Sequence, residues 1–282
     1  MAWRWQETVC LATDSRISID ADEPRNCGIK VLQVPVRVIS PIDKATGRFD
    51  TVFESVYGLC FSGRFLTAYL VKESISELLL NLQFVGARGN LSFHKICDVV
   101  FACFSRVVGE LNGLDADFIL VGCHPSDGRS VAAKFCRDGS GQLRWSEILE
   151  ERPFSYDAIG AGETAFRVLF DDLRKNEPRV HFAAFDAMTR ILSSGAIPSV
   201  GGAVQYGQVD SGRGFRLFGV VDYSRVGNEL QVQQTFRGMN LNELYEGKDI
   251  LDLHVHYDFI DPFRAKKKRV FQELGIPWEN DD

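Results

Sequence analysis

A short apolar strand, Val9-Cys-Leu-Ala-Thr13, runs directly into a charged turn, Asp14-Ser15-Arg16. Sixteen residues after Asp14, the β-like stretch Ile29-Lys30-Val31-Leu32-Gln33-Val34 presents one lysine. An ionised side chain that interrupts an apolar strand costs several kcal/mol to bury unless it is paired. If the two strands are neighbours, Asp14 and Lys30 neutralise each other. Two uses of such a pair stand side by side. One is an ordinary ion pair at a sheet rim. The other is catalytic, because a buried lysine beside a carboxylate lowers the pKa of an attacking group.

The remaining chain reads as alternating blocks of strands and helix pairs. Ala2 to Trp5 and Val9 to Ala12 form a hairpin across Gln6-Glu7-Thr8. Residues 19–28 are polar and turn-rich, two strands are expected around 29–39, and Pro41 to Arg48 is a loop. Ser55 to Phe61 is an apolar strand ending in Ser62-Gly63. Phe65 to Leu82 carries a helical stripe through Ala68, Val71, Ile75, Leu78, Leu79 and Leu82, with Gly86 and Gly89 at its exit. Ser92 caps a second helix that Gly113 stops.

A three-strand meander follows at Asp117 to Cys123, Ser130 to Cys136 and Gln142 to Ile148. After a short strand at Tyr156 to Gly160, two more helices are expected, from Gly162 to about Arg174 and from Pro178 to Gly195. Gly202 to Val209 and Phe215 to Val221 make a late hairpin, and Leu230 to Thr235 adds a strand. Each helix pair must cover one sheet face, and the sheets must bury their other faces on each other. The expected class is therefore α+β, a four-layer α/β/β/α sandwich over residues 1–236. Residues 237–282 form a C-terminal extension ending in a basic helix.

Composition narrows the function classes. With 282 residues, 45% hydrophobic, 25% charged and net charge −6, the chain suits a globular protein and not a general nucleic-acid binder. No apolar run reaches membrane-spanning length, and no signal-peptide core follows Met1. Seven cysteines without CxxC spacing read as free thiols in a reducing cytoplasm. Asp252, His254, His256 and Asp258 alternate, which on a strand makes either a solvated face or a metal site. In Arg264-Ala-Lys-Lys-Lys-Arg269, Asp261 is the expected cap and Pro262 the first turn. That helix offers either a solvated basic face or a dock for an acidic partner.

Several of these segments, in this order, resemble the proteasome β-subunit-like N-terminal nucleophile (Ntn) hydrolases. Val9 to Ser18 resembles the family's second strand and Asp-Ser-Arg turn, with Lys30 at the matching spacing. Tyr57 to Gly63 is similar to the strand ending in an oxyanion-hole glycine, and Asp117 to Cys123 to the strand before the meander. Tyr156 to Gly162 is similar to the opening of the third helix, and Gly201-Gly202-Ala-Val204 to a late Gly-Gly strand. The resemblance spans about residues 1–221.

It implies a threonine-type peptidase or amide hydrolase without a cofactor, acting on protein or peptide substrates and assembled as a homo-oligomer or ring. Asp14, Arg16, Lys30 and Gly63 are the implied site residues. In that family the nucleophile is the first residue of the mature chain, and its own α-amine acts as base. The family spacing places that threonine ahead of Met1, and removal of Met1 would expose Ala2, which has no nucleophilic atom. Ala161, Ile197 and Val200 stand where the family has Ser, Asp and Ser. These departures leave a second reading open, a proteasome-like subunit that assembles or binds partners without turnover.

Overall fold

The computed structural model describes residues 1–18, 24–85, 91–111, 116–149, 152, 154–175, 180–245 and 257–277. The strands are β1 (Ala2–Trp5), β2 (Thr8–Thr13), β3 (Ile17–Ser18), β4 (Pro24–Arg25), β5 (Val31–Ile39), β6 (Thr51–Gly63) and β7 (Leu82–Gln83). They continue with β8 (Ala116–Cys123), β9 (Ser130–Arg137), β10 (Leu143–Ile148), β11 (Phe154–Asp157) and β12 (Gln205–Asp210). The last are β13 (Gly214–Val226), β14 (Glu229–Phe236), β15 (Met239–Asn240) and β16 (Phe259–Ile260). The helices are α1 (Phe65–Leu80), α2 (Phe93–Glu110), α3 (Glu163–Leu173), α4 (Val180–Ser194), α5 (Leu241–Tyr245) and α6 (Arg264–Glu273).

One sheet has the order β11-β1-β2-β12-β13-β14-β15, with β16 pairing β13; a second has the order β10-β9-β8-β6-β5-β7. The chain divides into two compact units. The first comprises Met1–Thr13, Lys30–Gly160 and Gly207–Arg216; the second comprises Asp14–Ile29, Ala161–Tyr206 and Leu217–Asp282.

The first unit contains three of the expected layers. Helix α1 packs on β5, β6 and β8, and α2 on β9 and β10. The other face of this sheet meets β2, which packs against β5, β6 and β9. Sheet-on-sheet packing needs room for large side chains, and glycines supply it here. A Cβ at Gly58 would stand 2.4 Å from the Phe215 ring, and one at Gly207 only 2.2 Å from the same ring. Tyr57 is fully buried and donates its hydroxyl to the Cys123 carbonyl at 2.7 Å. Arg4 is a buried cation in the same unit. It is satisfied by donating to the carbonyls of Ser130 (2.7 Å) and Leu149 (3.3 Å), as a buried charge requires.

In the second unit, α3 packs against α4. The Phe185 ring lies 5.3 Å from Tyr206 and 6.1 Å from Phe263. The α+β class, with helix pairs laid on sheets, is thus what the element order predicts.

Details differ. Within residues 29–39 there is one strand, β5 (Val31–Ile39), not two, because Pro35 lies within it without breaking its antiparallel pairing to β6. The strand around residues 55–61 extends over Thr51–Gly63. Asp261 does not cap α6: Phe263 holds the cap position without a side-chain cap bond. The Asp261 carboxylate instead accepts from Tyr223 Oη at 2.7 Å and Lys267 Nζ at 2.9 Å. The basic run of α6 is largely neutralised within the chain. Lys266 pairs with Asp222, Lys267 with Asp261, and Arg269 lies 3.9 Å from Glu273. Gly86, Gly89, Gly113, Pro178, Asp252, His254 and His256 lie outside the described residues.

His181 on α4 is packed among Phe182, Phe185 and Tyr206, and burial lowers its pKa to about 4 from 6.5. The unfolded chain then binds a proton that the folded one refuses. Stability is therefore whole above about pH 6.5 and falls as pH drops toward 4, by about 3 kcal/mol over that window. Urea midpoints at pH 7 and pH 4.5 check this: a His181→Phe variant is expected to lose markedly less stability between the two than the native chain.

Candidate functional site

The Asp14-Ser15-Arg16 turn sits in the second unit, immediately after β2. Each of its three side chains is held by a backbone or side-chain partner. Asp14 Oδ2 accepts from two backbone N–H groups, Arg16 at 3.1 Å and Gly201 at 3.0 Å. Ser15 is fully buried. Its Oγ accepts from Ala203 N–H at 2.8 Å and donates to the Asn26 carbonyl at 3.0 Å. Its backbone donates to the Gly201 carbonyl and accepts from Gly28 N–H. Arg16 donates through Nε to Asn26 Oδ1 at 2.9 Å and through Nη1 to the Pro198 carbonyl at 3.1 Å.

Steric space explains the late Gly-Gly. The Arg16 guanidinium lies across Gly201 so closely that a Cβ there would stand 2.2 Å from Cζ. A Cβ on Gly202 would stand 2.3 Å from Ser15 Oγ, and Gly202 has φ +78°. Only glycine adopts that left-handed conformation without strain. Charge on the turn and glycine on the partner segment are therefore two halves of one clamp.

The first unit holds Lys30, Gly63 and a group the sequence did not single out for chemistry. Lys30 is buried, and Val31 beside it pairs with Cys60 on β6. The Cys60 thiol is hydrogen-bonded by the α-amine of Met1 and lies in the field of Lys30. Burial nevertheless raises its pKa, with the two cations acting in the opposite direction. The same α-amine donates to the Ala12 carbonyl at 3.0 Å. Gly63 closes β6 opposite Ala116 with φ +99°. Only glycine adopts that backbone conformation without strain. Beside it, Ser62 Oγ would stand 2.1 Å from a Cβ at Gly160, a second position with φ +88°.

Of the four residues implied by the sequence, Asp14 and Arg16 therefore share one clamp in the second unit, and Lys30 and Gly63 belong to the first. Ser15 was missed, although its hydroxyl is the most buried polar group of the turn; a neutral side chain between two charged ones carries no signal of its own in the sequence. Asn26 was read only as part of a loop. Cys60 was read as a buried thiol, without its neighbours. All seven cysteines are free thiols, with Cys27 exposed.

No family profile and no curated protein matches the chain. Solved structures do. An Anbu mutant from Hyphomicrobium sp. strain MC1 is 14% identical over 100% of this chain and 98% of its own, with a TM-score of 0.52. Anbu (ancestral beta-subunit) from Yersinia bercovieri is 13% identical over 77% of this chain and 85% of its own, at 0.50. The helical assembly of the Anbu complex from Pseudomonas aeruginosa is 12% identical over 99% and 97%, also at 0.50. The likeness is one of fold.

The clamp makes two glycine substitutions unequal. Gly201→Ala displaces the far end of a flexible arginine and is expected to cost about 1 kcal/mol; Gly202→Ala adds left-handed strain and a clash at a buried hydroxyl, and is expected to cost about 3 kcal/mol. Chemical denaturation of both variants checks the order, and equal losses would contradict the clamp.

Proposed function

On the proteasome-like Ntn-hydrolase fold that this chain has, we infer a subunit of a self-associating proteasome-like particle, whose site is that of an N-terminal-nucleophile amide hydrolase. The observation that supports it best lies in the first unit, a buried Lys30 and a left-handed Gly63; the second unit, by itself, carries the Asp14-Ser15-Arg16 turn clamped on Gly201-Gly202. In this reading the hydroxyl or thiol of the mature first residue attacks a peptide carbonyl carbon. Its α-amine takes the proton, Lys30 lowers the pKa of the attacking group, and the Gly63 N–H holds the oxyanion. The C–N bond then breaks, the amine leaves with that proton, and water hydrolyses the resulting ester or thioester. Asp14 and Arg16 hold the Gly201-Gly202 segment within the second unit. No cofactor takes part, and a reducing cytoplasm is the compartment that seven free thiols suit.

A second reading, assembly or partner binding without turnover, is favoured by a specific observation. Ala161, Ile197 and Val200 replace the polar helpers of the family pattern. Ile197 and Val200 close a backbone turn, Val200 N–H donating to the Ile197 carbonyl at 3.0 Å. The identity of the mature first residue separates the two readings.

Intact mass and N-terminal sequencing of native material, followed by peptide hydrolysis with and without Lys30→Ala, make the test. The hydrolase reading expects a Thr, Ser or Cys at the mature terminus and a loss of about a hundredfold or more in turnover for Lys30→Ala. Native protein that begins at Ala2 and leaves peptides intact would overturn it in favour of the non-catalytic subunit. For the assembly itself, multi-angle light scattering is expected to give a mass several times that of one chain; a monomer at every concentration would contradict self-association.

A further inference from the structure

The second unit contains a cavity of about 270 Å³ that neither reading above uses. It lies against α4, β13, β14 and α6, and apolar side chains line part of it beside Thr189, Ser193, Gln233 and Thr235. Val204, Val220 and Phe263 are all buried, and Leu192 closes one side. One wall is charged. Lys266 Nζ, on α6, sits 2.6 and 2.8 Å from the two carboxylate oxygens of Asp222 on β13. Their side chains are 23% and 33% exposed, so the pair stands at the boundary between solvent and cavity.

We propose that this cavity binds a small zwitterion, a free α-amino acid with a short aliphatic side chain. A lone anion drawn to Lys266 would strip it from Asp222 and leave a part-buried carboxylate uncompensated, and a lone cation would do the reverse to Lys266. Unpaired charges in such surroundings are costly. A ligand carrying both charges on one carbon avoids the penalty: its carboxylate accepts from Lys266 and its ammonium donates to Asp222. Phosphate esters are disfavoured, because their second negative charge faces Asp222.

Size and polarity agree with this class. The volume lies below the roughly 300–1,000 Å³ of sites for drug-sized ligands, which selects a single residue over a longer peptide. Leu192, Val204, Val220 and Phe263 offer contact to a short aliphatic side chain. Thr235, whose hydroxyl donates to the Val220 carbonyl, keeps its acceptor capacity for an ammonium N–H. The cavity also borrows Gly202 and Ala203 from the segment that holds Ser15. The inference needs no nucleophile and stands apart from the hydrolase reading.

The test uses the full chain, with L-valine as probe in calorimetric titration and thermal-shift assays. N-acetyl-L-valine, which lacks the ammonium, and L-valinamide, which lacks the carboxylate, are the controls. L-valine is expected to bind and raise the melting temperature at millimolar concentration, with both controls at least about tenfold weaker. A double variant, Asp222→Asn with Lys266→Met, removes both charges at unchanged net charge and is expected to weaken valine binding by about tenfold or more. Leu192→Trp fills the cavity from its half-buried side, leaves the ion pair intact and is expected to lower valine affinity as much, so the conclusion does not hang on the stability of the double variant. No response to valine, equal binding of all three compounds, or native affinity in a folded Leu192→Trp protein would each overturn the proposal.

Discussion

A buried serine hydroxyl, pinned between the Asn26 carbonyl and the Ala203 N–H, sets the conditions for everything around the charged turn. A polar group with no access to water must be satisfied or it costs about 1–3 kcal/mol. Satisfying Ser15 brings the Gly201–Ala203 segment against the turn. Once there, the segment has no room for side chains. Gly201 lies under a guanidinium and Gly202 under the hydroxyl itself. The Asp14 carboxylate then completes the junction by accepting the Gly201 N–H. The carboxylate thus has a structural task whichever functional reading holds, and this is why an Asp-Ser-Arg turn and a Gly-Gly pair occur together in this chain.

In the first unit the limiting demand is volume, not charge. Phe215 occupies the space that Cβ atoms at Gly58 and Gly207 would need, and the Tyr57 ring likewise occupies that of Gly122. Interiors pack at nearly crystalline density, so a large ring on one strand must be answered by a missing side chain opposite. The consequence for function is indirect but physical. Strand β6 carries Tyr57, Gly58, Cys60 and Gly63, so the packing that seats its middle also fixes where its end presents a left-handed glycine.

The end of the chain illustrates how charge patterns mislead when read alone. Five basic residues in six positions suggest a cationic surface, yet Lys266 and Lys267 are engaged by Asp222 and Asp261. Phe263 and Val270 are buried. Together with β16, which pairs in parallel with β13, these contacts make α6 a packed element of the second unit and the rim of a cavity.

What the sequence determined by itself was local. The Ala2–Trp5 hairpin, most of the α1 stripe, the Ser92 cap and the three-strand meander were legible because hydrophobic period and turn chemistry act over a few residues. Asp14 and Lys30 drew notice for a related reason, since charge in a strand is conspicuous in one dimension; Arg16 and Gly63 were implied only by the family resemblance. Only the tertiary structure decided what those groups touch. Ser15 meets Ala203, Asp14 meets Gly201 and Lys266 meets Asp222 across long stretches of chain, and Val31–Ile39 stayed one strand through Pro35 because β6 paired with it on both sides of the proline. Hydrogen bonds and ion pairs are short-ranged in space and indifferent to separation along the chain, so a donor and its acceptor leave no mutual trace in sequence until folding brings them within 3 Å.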